Sequence, residues 1–374
     1  MSGFAVRGWC PDAWRPMAAG DGLLVRVKPR LGRLTRAELA LLADASARFG
    51  NGLVDLTNRA NLQLRGVSDA GWPALLDLLT AHALVDPDRT RERRRTLIVA
   101  PDWEQGDDTH RIATDLLARI DALPALPGKT GFVIDAGPAP LLRDAPGDFR
   151  IERGEAGGLI LRAEGRGTGM PLAPGDEAAA LARLARWFVD SGGVAAGRMA
   201  RHTAPLPDWA LGTEPPAAPR TAILPGAHPM GSAVGAPFGQ MTADSLAVLA
   251  GQPIAAVRVT PWRVLLAEGP LAADPRFLAD PADPLLRTDA CAGAPACPQA
   301  SVETRSLARA LAPQVDGRLH VSGCAKGCAR ALPADVTVTG RNGLLDLAFD
   351  ATAGAPPDHV GLEPAALLAL LGKS

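Results

Sequence analysis

Lysine is nearly missing from this sequence: Lys28, Lys129, Lys326 and Lys373 are the only ones, so arginine carries almost all of the positive charge. Arginine brings a fixed fork of donors that suits carboxylates better than a lysine ammonium does. No excess of either sign accompanies it. With 39 basic and 40 acidic residues the formal net charge is -1, which leaves no basic field to hold a nucleic-acid backbone. No uninterrupted apolar run reaches membrane-spanning length, and the first twenty residues hold Arg7 and Arg15 without an apolar core of signal-peptide length. Neither a nucleic-acid partner nor a membrane is expected, and the expected location is cytoplasmic. No glycine-rich dinucleotide fingerprint stands out, so nicotinamide-derived electrons would have to arrive through a partner protein.

What remains is an ordinary globular composition. At 374 residues, 47% hydrophobic and 21% charged, the chain has enough apolar material for two or three domains with cores of their own. Residues 23–28 alternate as a strand, with Leu23, Val25 and Val27 on one face and Leu24, Arg26 and Lys28 on the other, so two cations share one surface. Thr35 and Glu38 make a capping-box pattern ahead of Leu39, Leu42, Ala43 and Phe49 at helical spacing, and Gly50-Asn51-Gly52 closes that helix. A short strand at 53–56 follows. After a break at Thr57-Asn58-Arg59, residues 61–67 alternate again, with Leu62 and Leu64 inward and Asn61, Gln63 and Arg65 outward.

This order of strand, helix, strand and strand returns later in the chain. Gly32-Arg33-Leu34-Thr35 is echoed by Gly239-Gln240-Met241-Thr242, and the interval from Thr57 to Gly66 by that from Thr260 to Gly269, with a shorter helix between. The pattern is that of an internal duplication. Between the copies, Pro205, Pro207, Pro215, Pro216, Pro219, Pro225, Pro229 and Pro237 disfavour regular structure and mark a linker. The expected division is a first half-unit at 1–72, a mixed α/β block at 73–205, the Pro-rich linker at 206–237, a second half-unit at 238–275 and a second α/β block at 276–374.

Four of the five cysteines form two close pairs, Cys291 and Cys297 with five residues between them and Cys324 and Cys328 with three. In a reducing compartment such clustering favours metal or cluster ligation over disulfides. Zinc ribbons usually place two residues within a ligand pair, so these wider, unequal gaps favour a [4Fe–4S] cube over zinc or over thiols buried in turns. Glycines in Ser322-Gly323-Cys324-Ala325-Lys326-Gly327-Cys328 let backbone N–H groups approach the sulfurs. Cys10, alone in Trp9-Cys10-Pro11, reads as a small buried residue.

Cys-x5-Cys followed by Cys-x3-Cys resembles the cluster signature of the nitrite and sulfite reductase superfamily, and the resemblance covers nearly the whole chain. It implies an α+β fold with duplicated ferredoxin-like half-domains and two α/β sulfite-reductase-like domains, the second binding the iron–sulfur cluster. By the same resemblance Cys328 is the thiolate shared with a neighbouring metal centre. Arg26 matches the superfamily's first-strand arginine, Arg59 its Thr-x-Arg motif, Arg95 the arginine before the strand that ends at Pro101, and Lys129 the first lysine of its Leu-Pro-x-Lys-x-Lys motif. Two positions depart: Gly131 stands where the second active-site lysine would be, and Thr96 where asparagine would be. Oxyanion reduction needs several cations to stabilise charge and deliver protons, so the loss at 131 weighs against that reaction.

Three stretches resemble one branch instead, the precorrin-3B synthases: residues 7–24 around Arg7-Gly8-Trp9-Cys10-Pro11, Thr260-Pro261-Trp262-Arg263, and residues 320–328. That likeness implies precorrin-3A as substrate, O2 as oxidant and an external electron-donor protein, with NADH as one ultimate source. Arg26, Arg59, Arg65, Arg95, Lys129 and Arg263, with Lys28 behind them, become candidates for the carboxylate-fringed tetrapyrrole, and Arg95 and Lys129 also for catalysis. The likeness implies a mononuclear non-haem iron as well, but none of His82, His110, His202, His228, His320 and His359 shows a ligand pair at helical spacing with a carboxylate partner. Sirohaem belongs only to the alternative of a sulfite or nitrite reductase. A non-enzymatic iron–sulfur electron-transfer subunit is the third reading. Under the synthase reading, the substrate pocket is expected between Cys328 and the strands bearing Arg26 and Arg59.

Overall fold

The computed structural model describes residues 10–372, so Arg7, Gly8 and Trp9 of the opening motif lie outside the described part. Among the described residues, four five-stranded sheets organise the fold. In the first, the strands Met17–Ala19, Gly22–Val27, Leu62–Val67 and Leu53–Leu56 pair antiparallel in that order, burying Val25, Val27, Leu62 and Leu64 on one face. The helix Arg36–Phe49 starts as the sequence requires: Thr35 Oγ1 accepts the Glu38 N–H while Glu38 Oε2 accepts the Thr35 N–H at 2.7 Å. Its buried stripe of Leu39, Leu42 and Ala43 packs on the sheet, each leucine contributing about 1.5–3 kcal/mol.

The second half-unit repeats this plan with Gly226–His228, Gly231–Gly235, Val264–Glu268 and Ala256–Val259 around the helix Ala243–Gly251. The duplication extends to backbone detail. Leu31 and Phe238 occupy matching left-handed positions at φ 52° and 57°, each followed by a glycine, Gly32 and Gly239, at φ 72° and 73°. Each half-unit also lends the other a strand. Gln240–Thr242 completes the first sheet against Leu53–Leu56, and Arg33–Thr35 completes the second against Ala256–Val259. Arg33 locks the exchange, donating Nε and Nη2 to the two oxygens of Glu268 at 2.7 Å each. One hydrophobic core therefore runs through both half-units, from Val25 and Leu39 to Leu246 and Val257.

Two strands, Gly226–His228 and Gly231–Gly235, fall inside the segment 206–237 expected to be an irregular linker. The second half-unit thus starts before 238. Pro225, Pro229 and Pro237 flank these strands without interrupting them, so no ladder N–H is lost.

The other two sheets share one pattern of parallel, parallel, antiparallel, antiparallel pairing. One comprises Leu97–Val99, Phe132–Asp135, Phe149–Arg153, Leu159–Ala163 and Met170–Pro171, with helices Asp108–Ala118 and Glu177–Asp190 over it. Its counterpart comprises Thr288–Ala290, Leu319–Ser322, Ala334–Arg341, Leu344–Ala351 and His359–Leu362. Among the described residues no helix is long and apolar enough to cross a membrane.

Candidate functional site

The outward face of the first sheet carries the cations. Arg26 lies beside Gln63, donating Nε and Nη2 to its Oε1 at 3.2 and 2.7 Å. A cleft opens over this point, lined by Cys10, Asp12, Arg26, Lys28, Arg59 and Asn61 and walled by Arg93, Arg94 and residues 123–128. Burial pulls the Arg26 pKa below its ordinary value, and Cys10, within hydrogen-bonding reach, and Asp12 oppose that pull. Cys10 is thus half-exposed in the cleft rather than a packed core residue.

Lys28 is buried, which lowers its pKa, while Glu92 and Asp12 push it back up. Its Nζ lies 3.4 Å from Glu92 Oε1 and donates to the Glu92 carbonyl at 2.5 Å. Arg95 reaches the same fully buried carboxylate, with Nη1 2.8 Å from Oε2, and donates Nη2 to the Lys28 carbonyl. Arg95 therefore stands behind Lys28 rather than in the cleft lining.

Arg59 crosses to the α/β domain, donating Nη2 to the Lys129 carbonyl at 2.6 Å. Burial lowers its pKa; Cys10 counters that, and Arg198 and Arg26 add to the lowering. The departure at 131 now has a physical meaning. A Cβ on Gly131 would lie 3.1 Å from Arg59 Nη1 and 3.0 Å from the Thr96 carbonyl, so Arg59 occupies space a side chain there would claim. Lys129 itself is half-buried on this loop, outside the cleft lining, which includes its neighbours Gly128 and Thr130.

Arg65 is on the same sheet face but fully engaged. It donates Nε and Nη2 to Asp21 at 2.9 Å each and Nη1 to Asp55 at 2.7 Å. Burial works against its charge, yet the two carboxylates hold its pKa above the usual value. Here the face meets the cluster loops: Arg305 Nη2 comes within 4.0 Å of Asp55 Oδ1, and a Cβ on Gly20 would meet the Ala296 carbonyl at 2.7 Å. The cleft lining contains no cluster-loop residue, so Cys328 and Arg26 do not share one pocket as expected. The loop after Cys291 reaches the far end of this face instead, where Ala292, Ala294, Ala296 and Arg305 share a hollow with Arg65, and the row Asn61, Gln63, Arg65 spans about 13 Å at 3.3 Å per strand residue. Arg263 is outside the cleft lining, with Nη2 2.7 Å from Asp289 Oδ1 and Nη1 donating to the Thr288 carbonyl.

The parallel strands Thr288–Ala290 and Leu319–Ser322 lead into the two cysteine loops side by side. All five cysteines are free thiols. The Gly323 N–H donates to Cys291 Sγ at 3.2 Å, Thr304 Oγ1 donates to the Cys291 carbonyl, and the Ser301 N–H donates to the Gly323 carbonyl. Gly323 admits no side chain, because a Cβ would sit 2.5 Å from Ala300 Cβ. The four thiols lie within electrostatic reach of one another: desolvation raises the Cys328 pKa, Lys326 opposes it, and Cys291, Cys324 and Cys297 add to the rise. Among the described residues no three His, Cys, Asp or Glu groups converge tightly enough to hold one metal ion. A cube spreads its four thiolates over four different irons, and the amide aimed at Cys291 is the kind of donor a cluster sulfur takes.

Sequence reasoning missed Arg93, Arg94 and Arg305. The arginine-rich run 89–94 was the available signal for the first two.

Residues 15–82 match the family model for the nitrite/sulfite reductase ferredoxin-like half domain. A precorrin-3B synthase from Sinorhizobium sp. is 34% identical, with the alignment covering 98% of this chain and 88% of the relative. This chain belongs to the precorrin-3B synthase family. A ferredoxin–nitrite reductase of Synechococcus elongatus is more distant, 26% identical over 89% of this chain and 78% of its own length. The solved structure of the Mycobacterium tuberculosis NirA protein covers 90% of this chain and 76% of its own at a TM-score of 0.56 and 18% identity, which shows a shared fold. Precorrin-3B synthases are enzymes, which sets aside the non-enzymatic electron-transfer reading.

Proposed function

We propose that this chain hydroxylates the meso carbon between rings A and D of precorrin-3A, with lactone closure from the ring A acetate, as the O2-dependent synthase of aerobic cobalamin biosynthesis. The observation that carries the reading is the arginine-fringed sheet face whose cleft has Arg59 in the space of a side chain at 131. Such a face offers forked donors for a fringe of acetates and propionates in place of a compact lysine pocket for a small oxyanion.

Arg26 and Arg59 bind substrate carboxylates, and Lys28, paired with Glu92, lines the cleft beside them. Arg95 is a positioning residue acting through Glu92 and Lys28. Lys129, whose neighbours Gly128 and Thr130 line the cleft, is the residue we assign to proton delivery. In balance, one oxygen atom of O2 enters the hydroxyl group and the other leaves as water, taking up two protons and two electrons from an external, NADH-linked donor protein. When bound by Cys291, Cys297, Cys324 and Cys328, a [4Fe–4S] cluster supplies such electrons singly.

Titration of precorrin-3A into the anaerobic protein tests the reading. Arg26→Ala and Arg59→Ala are each expected to weaken binding about 10- to 100-fold, the loss of a charge-assisted hydrogen bond of about 1.5–3 kcal/mol. A wild-type protein that ignores precorrin-3A, or variants that bind it undiminished, would overturn it.

A further inference from the structure

His320 is fully buried in the strand Leu319–Ser322, and neither ring nitrogen has a hydrogen-bond partner. Its strand neighbours in register, Asp289 and Thr337, cannot supply one. Asp289 is occupied by Arg263 at 2.7 Å, Arg318 at 3.1 Å and Arg330 at 3.7 Å, and Thr337 Oγ1 donates to the Ala351 carbonyl. Ser322, next on the same face, donates to the Cys324 carbonyl. The imidazole lies against the turn between two of the cysteines: a Cβ on Gly327, left-handed at φ 63°, would sit 3.7 Å from His320 Cε1. A buried imidazole N–H left unpaired costs about 1–3 kcal/mol, so a native partner is expected where the protein supplies none.

We infer that His320 is a positioning residue for the iron–sulfur cluster, its N–H donating to a cluster or cysteinyl sulfur beneath the Cys324–Cys328 turn. The inference rests on the cluster reading above. A donor to sulfur stabilises the more negative, reduced cluster and so raises its reduction potential. The three arginines about Asp289 leave the neighbourhood net positive, which suits an anionic cluster.

The experiment uses the anaerobically purified full chain, labelled with 15N-histidine and reduced to the paramagnetic cluster. Pulsed EPR of the wild-type protein is expected to show a 15N-histidine coupling that His320→Leu abolishes. The redox titration of His320→Leu should shift to more negative potential, and His320→Gln, which keeps an N–H donor, should recover most of that shift. A wild-type cluster without histidine coupling overturns the assignment even if the variants fail to fold. So does an unshifted potential in His320→Leu, or a loss of one iron from that variant with the cluster signal intact, which would make His320 a ligand of a separate iron. A purified chain with no iron and sulfide overturns the cluster reading itself, a result separable from the others.

Discussion

Removing the charge of Glu92 while keeping its shape should expose how the cleft holds its cations. The carboxylate is fully buried, 3.4 Å from Lys28 Nζ and 2.8 Å from Arg95 Nη1, and it also accepts the Asp86 N–H at 3.0 Å. Glu92→Gln leaves two cations facing a neutral amide. Breaking a buried pair from one side costs about 3–5 kcal/mol, and the amide retains some acceptors, so about 3 kcal/mol is expected. Burial already holds the Lys28 pKa below 10.5, so the folded chain binds fewer protons than the unfolded one and stability rises with pH toward that value. Without Glu92 the folded pKa falls further, and the window in which stability rises with pH extends to lower pH. Adding Lys28→Met removes the stranded charge, so the double variant should regain a large part of the loss. Urea denaturation followed by tryptophan fluorescence, repeated across pH, measures all three. A single variant within 1 kcal/mol of wild type, or a double variant no better than the single, would refute the account of a charge-paired floor.

Four further outcomes are expected. Gly131→Lys should displace Arg59, whose Nη1 lies 3.1 Å from the new Cβ, and weaken precorrin-3A binding at least tenfold, with Gly131→Ala intermediate; undiminished binding of the lysine variant contradicts the role given to that space. Asp135 is buried with Oδ2 accepting the Leu141 and Leu142 N–H groups, and desolvation raises its pKa to about 6 against those bonds. The folded chain then binds the extra proton, so its stabilising contribution is present below about 3.8 and lost as pH rises through about 6; Asp135→Asn should flatten that part of the stability profile by about 3 kcal/mol, and parallel profiles would contradict it. Arg65→Ala strands Asp21 and Asp55 and should lower the thermal midpoint and the iron content together, whereas a loss of substrate affinity alone would make Arg65 a substrate ligand. Cys291→Ser should lose the cluster absorption and most of the bound iron on anaerobic purification; full retention would move the cluster elsewhere.

Much of this was legible in the sequence where local rules are strong. The Thr35–Glu38 capping box, the alternation of residues 23–28 and the matching intervals at Thr57 and Thr260 all depend on near neighbours, and each appears in the fold as read. The strand exchange was not legible, because pairing Gln240 with Asp55 and Ala256 with Thr35 is a property of two distant segments. Proline density is misleading at 226–235, because the gaps between the prolines leave room for two short strands. Among the candidate cations, sequence placed Arg26, Lys28 and Arg65 correctly on one face, but not their partners. Asp21 and Asp55 commit Arg65, and Asp289 commits Arg263, through contacts that no spacing rule announces. Cys10 has the sequence context of a packed residue, yet it stands in the cleft beside Arg26 and Arg59, brought there by a segment with no periodic pattern of its own.

Isotope transfer tests the central claim most directly. The anaerobically purified chain, given precorrin-3A, a reductant and 18O2, should yield a hydroxylated lactone carrying one 18O atom from dioxygen, in a protein free of sirohaem bands. Sirohaem absorption with turnover of sulfite or nitrite, and precorrin-3A recovered unchanged, would contradict the account and restore the reductase reading.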